Sequence, residues 1–489
     1  MNGFRLWLSD RKICPVLLVL IALLAPVATA QLTLRQISVD TFTNPDSQHK
    51  SEVEPDTFAF GSTIVSAFQV ARISTGGGAD IGFATSTDGG LTWTRGYLPG
   101  ITVNYRGGSF SAASDASVAF DAKHGQWLIS TLPIGNAVDV AVSRSSDGIH
   151  WGRPIPVDRG GGDDKNWIVC DNTATSPFYG NCYSEWDTPE IFMSTSSDGG
   201  ITWSKGKPTA DQAFGSGGQP LVQPNGTVVV PVTGGNGYVA FTSTDGGATW
   251  SRTSSLSNLV FHGTQGGLRS AGLESAEIDG TGKIYVVWSD CRFRTGCSSN
   301  DLVLSTSLDG KTWTAPARIP IDPVNSTVDH FIPGLGVDPN TSGPSAHLAL
   351  TYYYYPVSKC GNACQLNVGF VTSNDGGATW TAGQQLAGPM QLSWLPNTFS
   401  GLMVADYLST SFVNGNAFGV FMVAKAPSGG VLNQAAFTTT GPLAAADSAP
   451  RFSSQNDKPV PNAKSDFVRR YYDDEHRFPI PPSRNRVTR

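Results

Sequence analysis

Charge is scarce in this chain: 33 Lys and Arg with 39 Asp and Glu make up 15% of its 489 residues. Methionine (5), cysteine (7) and histidine (7) are rarer still. Low charge alongside abundant Gly (55) and Pro (31) excludes a helical bundle or coiled coil, which needs charged helix formers and few breakers. Long apolar runs are also missing. The run from Val16 to Ala25 is too short to span a bilayer easily. No CxxC zinc pair, phosphate-binding glycine loop, dinucleotide fingerprint or serine-nucleophile elbow occurs. Core formers, by contrast, are plentiful. A content of 39% hydrophobic and 10% aromatic residues excludes general disorder.

Arg5, Arg11 and Lys12 precede the one apolar run, and Ala28-Thr29-Ala30 follows it before Gln31. That is the layout of a secretory signal peptide, so residues 1–30 are expected to be removed. The mature chain is then extracellular or periplasmic, with no membrane attachment. Its six remaining cysteines fall in close pairs: Cys170/Cys182, Cys291/Cys297 and Cys360/Cys364. In an exported chain these read as three local disulfides, with a four-cysteine zinc site as the rival.

One motif recurs six times. Its full form is Ser86-Thr87-Asp88-Gly89-Gly90-Leu91-Thr92-Trp93, repeated around Asp198, Asp245 and Asp375; a form one residue shorter surrounds Asp147 and Asp309. Asp accepts hydrogen bonds from nearby backbone N–H groups, and Gly supplies positive φ without steric cost. The six aspartates are therefore expected to hold turns rather than to catalyse. They are spaced by 59, 51, 47, 64 and 66 residues, a length that suits one four-stranded antiparallel sheet per repeat. The fold class is all-β: a β-propeller over residues 31–440 with seven blades, six being the alternative. Gly401–Tyr407, Ala417–Val423 and Leu432–Thr438 supply strands for the last blade. The N-terminal run Leu32–Val39 closes it, leaving no open edge. Residues 441–489 form a Pro-rich, largely disordered tail, with an ordered stretch expected near Phe467–Tyr472. The tail holds nine basic and six acidic residues, while the propeller body carries 21 basic against 32 acidic.

The Ser-x-Asp-(x)-Gly-x-Thr-Trp repeats resemble the Asp-boxes of the sialidase (BNR-repeat) superfamily. The resemblance spans roughly residues 50–440 and implies the propeller architecture. Chemistry in such folds is more varied, because fold alone does not fix function. What the resemblance implies is a carboxylate clamp of three arginines, an aspartate acid/base, and a tyrosine nucleophile assisted by a glutamate. The Arg-Ile-Pro triplet that usually precedes the first blade occurs here only as Arg318-Ile319-Pro320, after the fifth box.

Topology narrows the candidates. The Asp-box joins the third and fourth strands of a blade, so site residues should lie at the opposite end, where first strands begin and second strands finish. Glu54, Asp56, Lys165, Trp167, Gln219, Glu274, Asp406 and Tyr407 all qualify by position. Arg269, Arg292 and one of Arg72, Arg106 or Arg294 are candidates for the clamp, since the planar guanidinium binds carboxylate through two parallel hydrogen bonds. Asp290 shares the loop of Arg292 and Arg294, which a Cys291–Cys297 bridge would stiffen. Asp115 is the acid/base candidate. Tyr353 or Tyr355 is the nucleophile candidate with Glu277 as its base, because a phenol of pKa near 10 needs a carboxylate to lose its proton at neutral pH.

The leading expectation is an exo-acting sialidase-like glycoside hydrolase with a glycan partner, working as a monomer without nucleic acid. Its rivals are a non-catalytic glycan- or protein-binding propeller and a polysaccharide lyase using His330 as base. No cofactor is expected. The Gly160–Asp164 loop offers carboxylates and carbonyls to calcium without a complete ligand pattern.

Overall fold

The computed structural model describes residues 33–461 except 160, 189, 236, 271, 442 and 444–450, together with Met1 and Gly3. The signal-peptide segment and the Phe467–Tyr472 stretch therefore lie outside the described residues, Met1 and Gly3 aside. Strands dominate, and helix is limited to four three-residue 3-10 turns among the described residues. None of the described helices is long and apolar enough to cross a membrane.

Among the described residues the strands form six larger antiparallel sheets, one of them eight-stranded and made of two successive groups, and two pairs of short strands. With those two groups counted as separate sheets, the first comprises Val53–Phe60, Thr63–Arg72, Gly78–Ser86 and Thr94–Tyr97. Ala112–Asp121 opens the second, which touches the first through the single pair Gly78 and Ala113. The third to sixth open with Asp164–Cys170, Gly215–Ser216 plus Leu221–Val222, Ser275–Ile278 and Asp329–Val337. The seventh runs Ser409–Val413, Asn416–Ala424 and Gln434–Thr439, and its fourth strand is Leu34–Gln36 from the chain's start. Leu34 pairs with Thr439 and Gln36 with Phe437, which covers the edge of the last sheet with the first strand.

Neighbouring sheets pack face to face through apolar side chains. Ile168 and Trp186 of the third sheet meet Leu128, Val140 and Val142 of the second. Similar layers join the first sheet to the second, through Val65 and Val118, and the first to the seventh, through Ile64 and Phe418. Both faces of each sheet are thereby covered, so burial of apolar area is shared among repeated interfaces rather than gathered in one core. The first strands lie against one another in chain order, and that of the seventh sheet returns to that of the first. Their starts converge on a common centre.

The six repeat turns behave as their residue types require. Asp88 accepts hydrogen bonds from the Thr92 amide (2.8 Å) and hydroxyl (2.5 Å), and Ser86 Oγ receives the Gly90 N–H at 2.8 Å. These donors hold the Asp88 carboxyl down at about 2, the Thr92 hydroxyl foremost. The Gly89 N–H reaches the carbonyl of Ser62, which places this turn beside the first-to-second strand turn and away from the strand starts.

Two expectations about strands change. The seventh sheet begins at Ser409, not Gly401. Gly401–Leu402 pairs instead with Asn397–Thr398, leaving residues 403–408 as a lead-in that delivers Asp406 to the centre. The expected tail also contributes structure: Arg451–Phe452 pairs with Trp380–Thr381, and Asp457 lies 3.3 Å from Arg318.

Candidate functional site

Four first strands carry the same irregularity; in the sixth sheet it falls at Ile332 (φ 50°), beside the register shift between Phe331 and Pro333. At Glu54, Asp115 and Lys165 the backbone takes φ of 54°, 45° and 46°, and the pairing register shifts beside each one. An extra residue in a strand bends it and re-aims a side chain. A non-glycine residue in the left-handed region is costly and persists only where its surroundings enforce it. The bulges at Glu54, Asp115 and Lys165 bring two carboxyls and one ammonium from three different sheets onto one centre.

Lys165 Nζ lies 3.3 Å from Glu54 Oε1, 3.7 Å from Asp115 Oδ1 and 2.7 Å from Asp406 Oδ2. Arg269 grips the same Asp406 with its Nε, 2.8 Å from Oδ1, and with Nη2 on Oδ2; its Nη1 reaches Ser400 Oγ at 3.2 Å. Burial alone would raise the Asp406 carboxyl, but Arg269 and Lys165 together hold it well below the usual carboxylate range. Glu54 is pushed the other way. Burial outweighs Lys165, and the charges of Asp115 and Asp406 add to the rise, so its pKa stands well above normal. Gln69 Nε2 donates to Glu54 Oε2 and holds the carboxyl in place.

A pocket of about 40 Å³ lies beside these groups, lined by Glu54, Arg72, Asp115, Asp164, Lys165 and Arg269 together with Ser74–Gly77, Ser114 and Thr398–Ser400. Arg72 decides its character. It is 4% exposed, its Nε faces Met403 Sδ at 3.3 Å, and its Nη1 donates to the Gly77 carbonyl at 2.5 Å. No carboxylate of the described residues lies within ion-pair distance of it, although Lys165 and Arg269 in the same pocket are both paired with carboxylates. Burial accordingly lowers its pKa, with Glu54 acting against that fall. A guanidinium buried without a carboxylate beside a cavity is a ready partner for an anion.

The structure sorts the expected residues. Arg72, Arg269 and Asp115 come together in the pocket. Arg106 is exposed over the Tyr105 ring. Arg292 pairs with Asp290 at 2.7 Å and also donates to Ser257 Oγ. Arg294 is buried between Asp301 and Asp322, and Arg318 of the Arg-Ile-Pro triplet shares both partners. Those arginines brace loops and are spent on carboxylates. The tyrosine–glutamate pair is not assembled. Tyr353 OH bonds the backbone of Met422 at 2.9 Å, Tyr355 OH donates to the Gln265 carbonyl at 3.2 Å, and both rings are fully buried. Glu277 lines a different cavity, with Asp56. His330 is buried against Tyr352 and Asn300, and burial lowers its pKa. All three local disulfides are present: Cys170–Cys182, Cys291–Cys297 and Cys360–Cys364.

Four pocket participants were visible only as positions at strand starts: Glu54, Lys165, Asp406 and Tyr407. Tyr407 packs edge-on to Trp167, with centroids 5.2 Å apart, and its hydroxyl faces the Ala116 carbonyl at 3.3 Å. Nothing local in the sequence marks the bulges that select Glu54 and Lys165.

Residues 171–336 match the BNR repeat-like domain family. The Asp-box resemblance holds. The matched stretch contains three of the six Asp-boxes, those of Asp198, Asp245 and Asp309. Among solved structures, an intramolecular trans-sialidase of the leech is similar at 14% identity and TM-score 0.40, over 80% of this chain and 67% of its own. A microbial sialidase, Hz136, is similar at 18% identity and TM-score 0.41, over 69% and 66%. An ulvan lyase is similar at 10% identity and TM-score 0.46, over 83% and 95%. No curated protein matches the chain.

Proposed function

We propose that the chain is a secreted, seven-bladed sialidase-like glycoside hydrolase that acts at the end of a glycan on a sugar bearing a carboxylate. The observation that carries this reading is the buried Arg72 guanidinium lining the pocket without a carboxylate partner. In this account Arg72, aided by Arg269, takes the substrate carboxylate. A pocket of about 40 Å³ admits one terminal group rather than a whole polymer segment, which favours exo action. The returning contact of the seventh first strand onto the first supports seven blades. Three disulfides support an oxidising compartment.

The chemistry falls to Glu54 and Asp115. Burial raises the Glu54 pKa well above the usual carboxylate value, which favours the protonated form a general acid needs to protonate the leaving oxygen. Asp115, beside the Lys165 ammonium, acts as nucleophile or as the base for water. Both carboxyls reach Lys165 Nζ, so their nearest oxygens are at most about 7 Å apart, close enough to act on one glycosidic bond. The tyrosine mechanism is replaced here by a carboxyl pair.

The test is incubation of the full chain with a fluorogenic α-sialoside, fluorogenic uronides and neutral glycosides. Release from an acidic sugar, abolished in Glu54→Gln, is the expected result. Binding of the acidic sugar without release would select the non-catalytic propeller, and unsaturated products from uronate polymers would select a lyase.

A further inference from the structure

The first strands enclose a second space. This cavity of about 230 Å³ is walled by later residues of the first strands of all seven sheets, among them Thr57, Val118, Leu221 and Ser411. Those strands start at the pocket and end at the turns near the Asp-boxes, so the cavity lies toward the Asp-box end. Its walls are largely apolar, with Phe58, Ile278, Leu335 and Phe412 contributing. Asp56 and Glu277 are its only ionisable carboxyls among the described lining residues, and no Lys, Arg or His lines it. Asp56 Oδ2 accepts the Val118 N–H at 2.7 Å. For Glu277 only the Ile278 N–H favours the charged form, and the charge of Asp56 opposes it.

We propose that this cavity is a second binding site, taking a small organic ammonium ion with an apolar body, held by Glu277 and Asp56. The apolar walls receive the body, and the carboxyls supply the anionic partner once a proton leaves, with no Lys, Arg or His among the described lining residues to compete for it. A hard divalent ion fits less well, since it seeks six or more oxygens and two carboxyls supply few of them. Burial pushes Asp56 up to about 7 and Glu277 up to about 8, so Glu277 holds a proton at neutral pH. An entering ammonium forms an N–H···O bond to the carboxylate, and the carboxyl proton leaves to solvent. The charge entering as R–NH3⁺ is matched by the proton released.

The test uses benzylammonium on the full chain, with benzyl alcohol as the neutral analogue of the same shape. Calorimetry in buffers of different ionisation enthalpy should show release of up to about one proton per ligand near pH 7, falling toward pH 9 as the carboxyls ionise on their own. Trp167, which lines the cavity, should report the same binding by fluorescence. Glu277→Gln should weaken benzylammonium at least about tenfold and leave benzyl alcohol unchanged. Equal affinity for the two probes, binding without proton release, or no binding of benzylammonium by the unaltered protein would each overturn the proposal. The proton measurement uses the unaltered protein, so it decides between these outcomes even where Glu277→Gln misfolds.

Discussion

Carboxyl groups at the two ends of these sheets live under opposite rules. In the repeat turns Asp88 and Asp198 stand at the surface, ringed by backbone amides and a threonine hydroxyl, and both are held down at about 2. At the strand starts and along the centre Glu54, Asp56 and Glu277 have lost water and gained few donors, and all are raised. The residue types are nearly the same. What differs is whether hydrogen bonds to the charged form replace the hydration that folding removes. The first set fastens the backbone; the second is left reactive.

Substitutions should separate the two sets, and the largest effect belongs to the pocket. Glu54→Gln should lower kcat on an acidic glycoside by about 10²–10⁴-fold, the range for loss of a general acid, with Tm little changed. A steady-state assay paired with a melting curve checks both halves. Next comes Arg72→Ala, which should raise KM for the acidic sugar by at least about tenfold while leaving release from a neutral glycoside unaltered. A turn aspartate should do the reverse. Asp198→Ala removes the acceptor of the Ile201 and Thr202 amides and the Thr202 hydroxyl, and should cost about 1–3 kcal/mol in a denaturant titration with KM unchanged.

The smallest effect is on pH. Glu52, Asp80, Glu274 and Glu277 are pushed up to about 8 by burial, and Asp56 to about 7. Because these folded-state values exceed the unfolded ones, the native chain binds more protons between about pH 4.5 and about pH 8. Stability should therefore fall as pH rises through that window and level off above it. Melting curves at pH 5.5 and 8 check the sign.

The same contrast explains what the sequence could reveal. A turn such as that of Asp88 is complete within eight residues, so its partners sit side by side in the sequence and repeat with it. The strand groups and the three neighbouring disulfides are readable for the same local reason. The N-terminal strand, whose partners are Phe437–Thr439, is placed only because no nearer strand is left to pair with it. The pocket draws on Glu54, Asp115, Lys165, Arg269 and Asp406, five separate segments. Placing candidates at strand starts brings in all five but cannot rank them. The ranking comes from positive-φ bulges that no glycine announces and from pairings across sheets. Arg292 and Arg294 were plausible clamp members until Asp290, Asp301 and Asp322 claimed them. Alternation along a strand gives the side to which Tyr353 and Tyr355 point, not the backbone groups of Met422 and Gln265 that their hydroxyls meet.

The central claim is that the Arg72 pocket recognises a carboxylate. Calorimetric titration of the full chain with N-acetylneuraminic acid and with its methyl ester, a neutral analogue of nearly the same shape, tests it most directly. The account predicts binding of the acid, at least about tenfold weaker binding of the ester, and loss of that difference in Arg72→Ala. Equal affinity for acid and ester in the unaltered protein would contradict it.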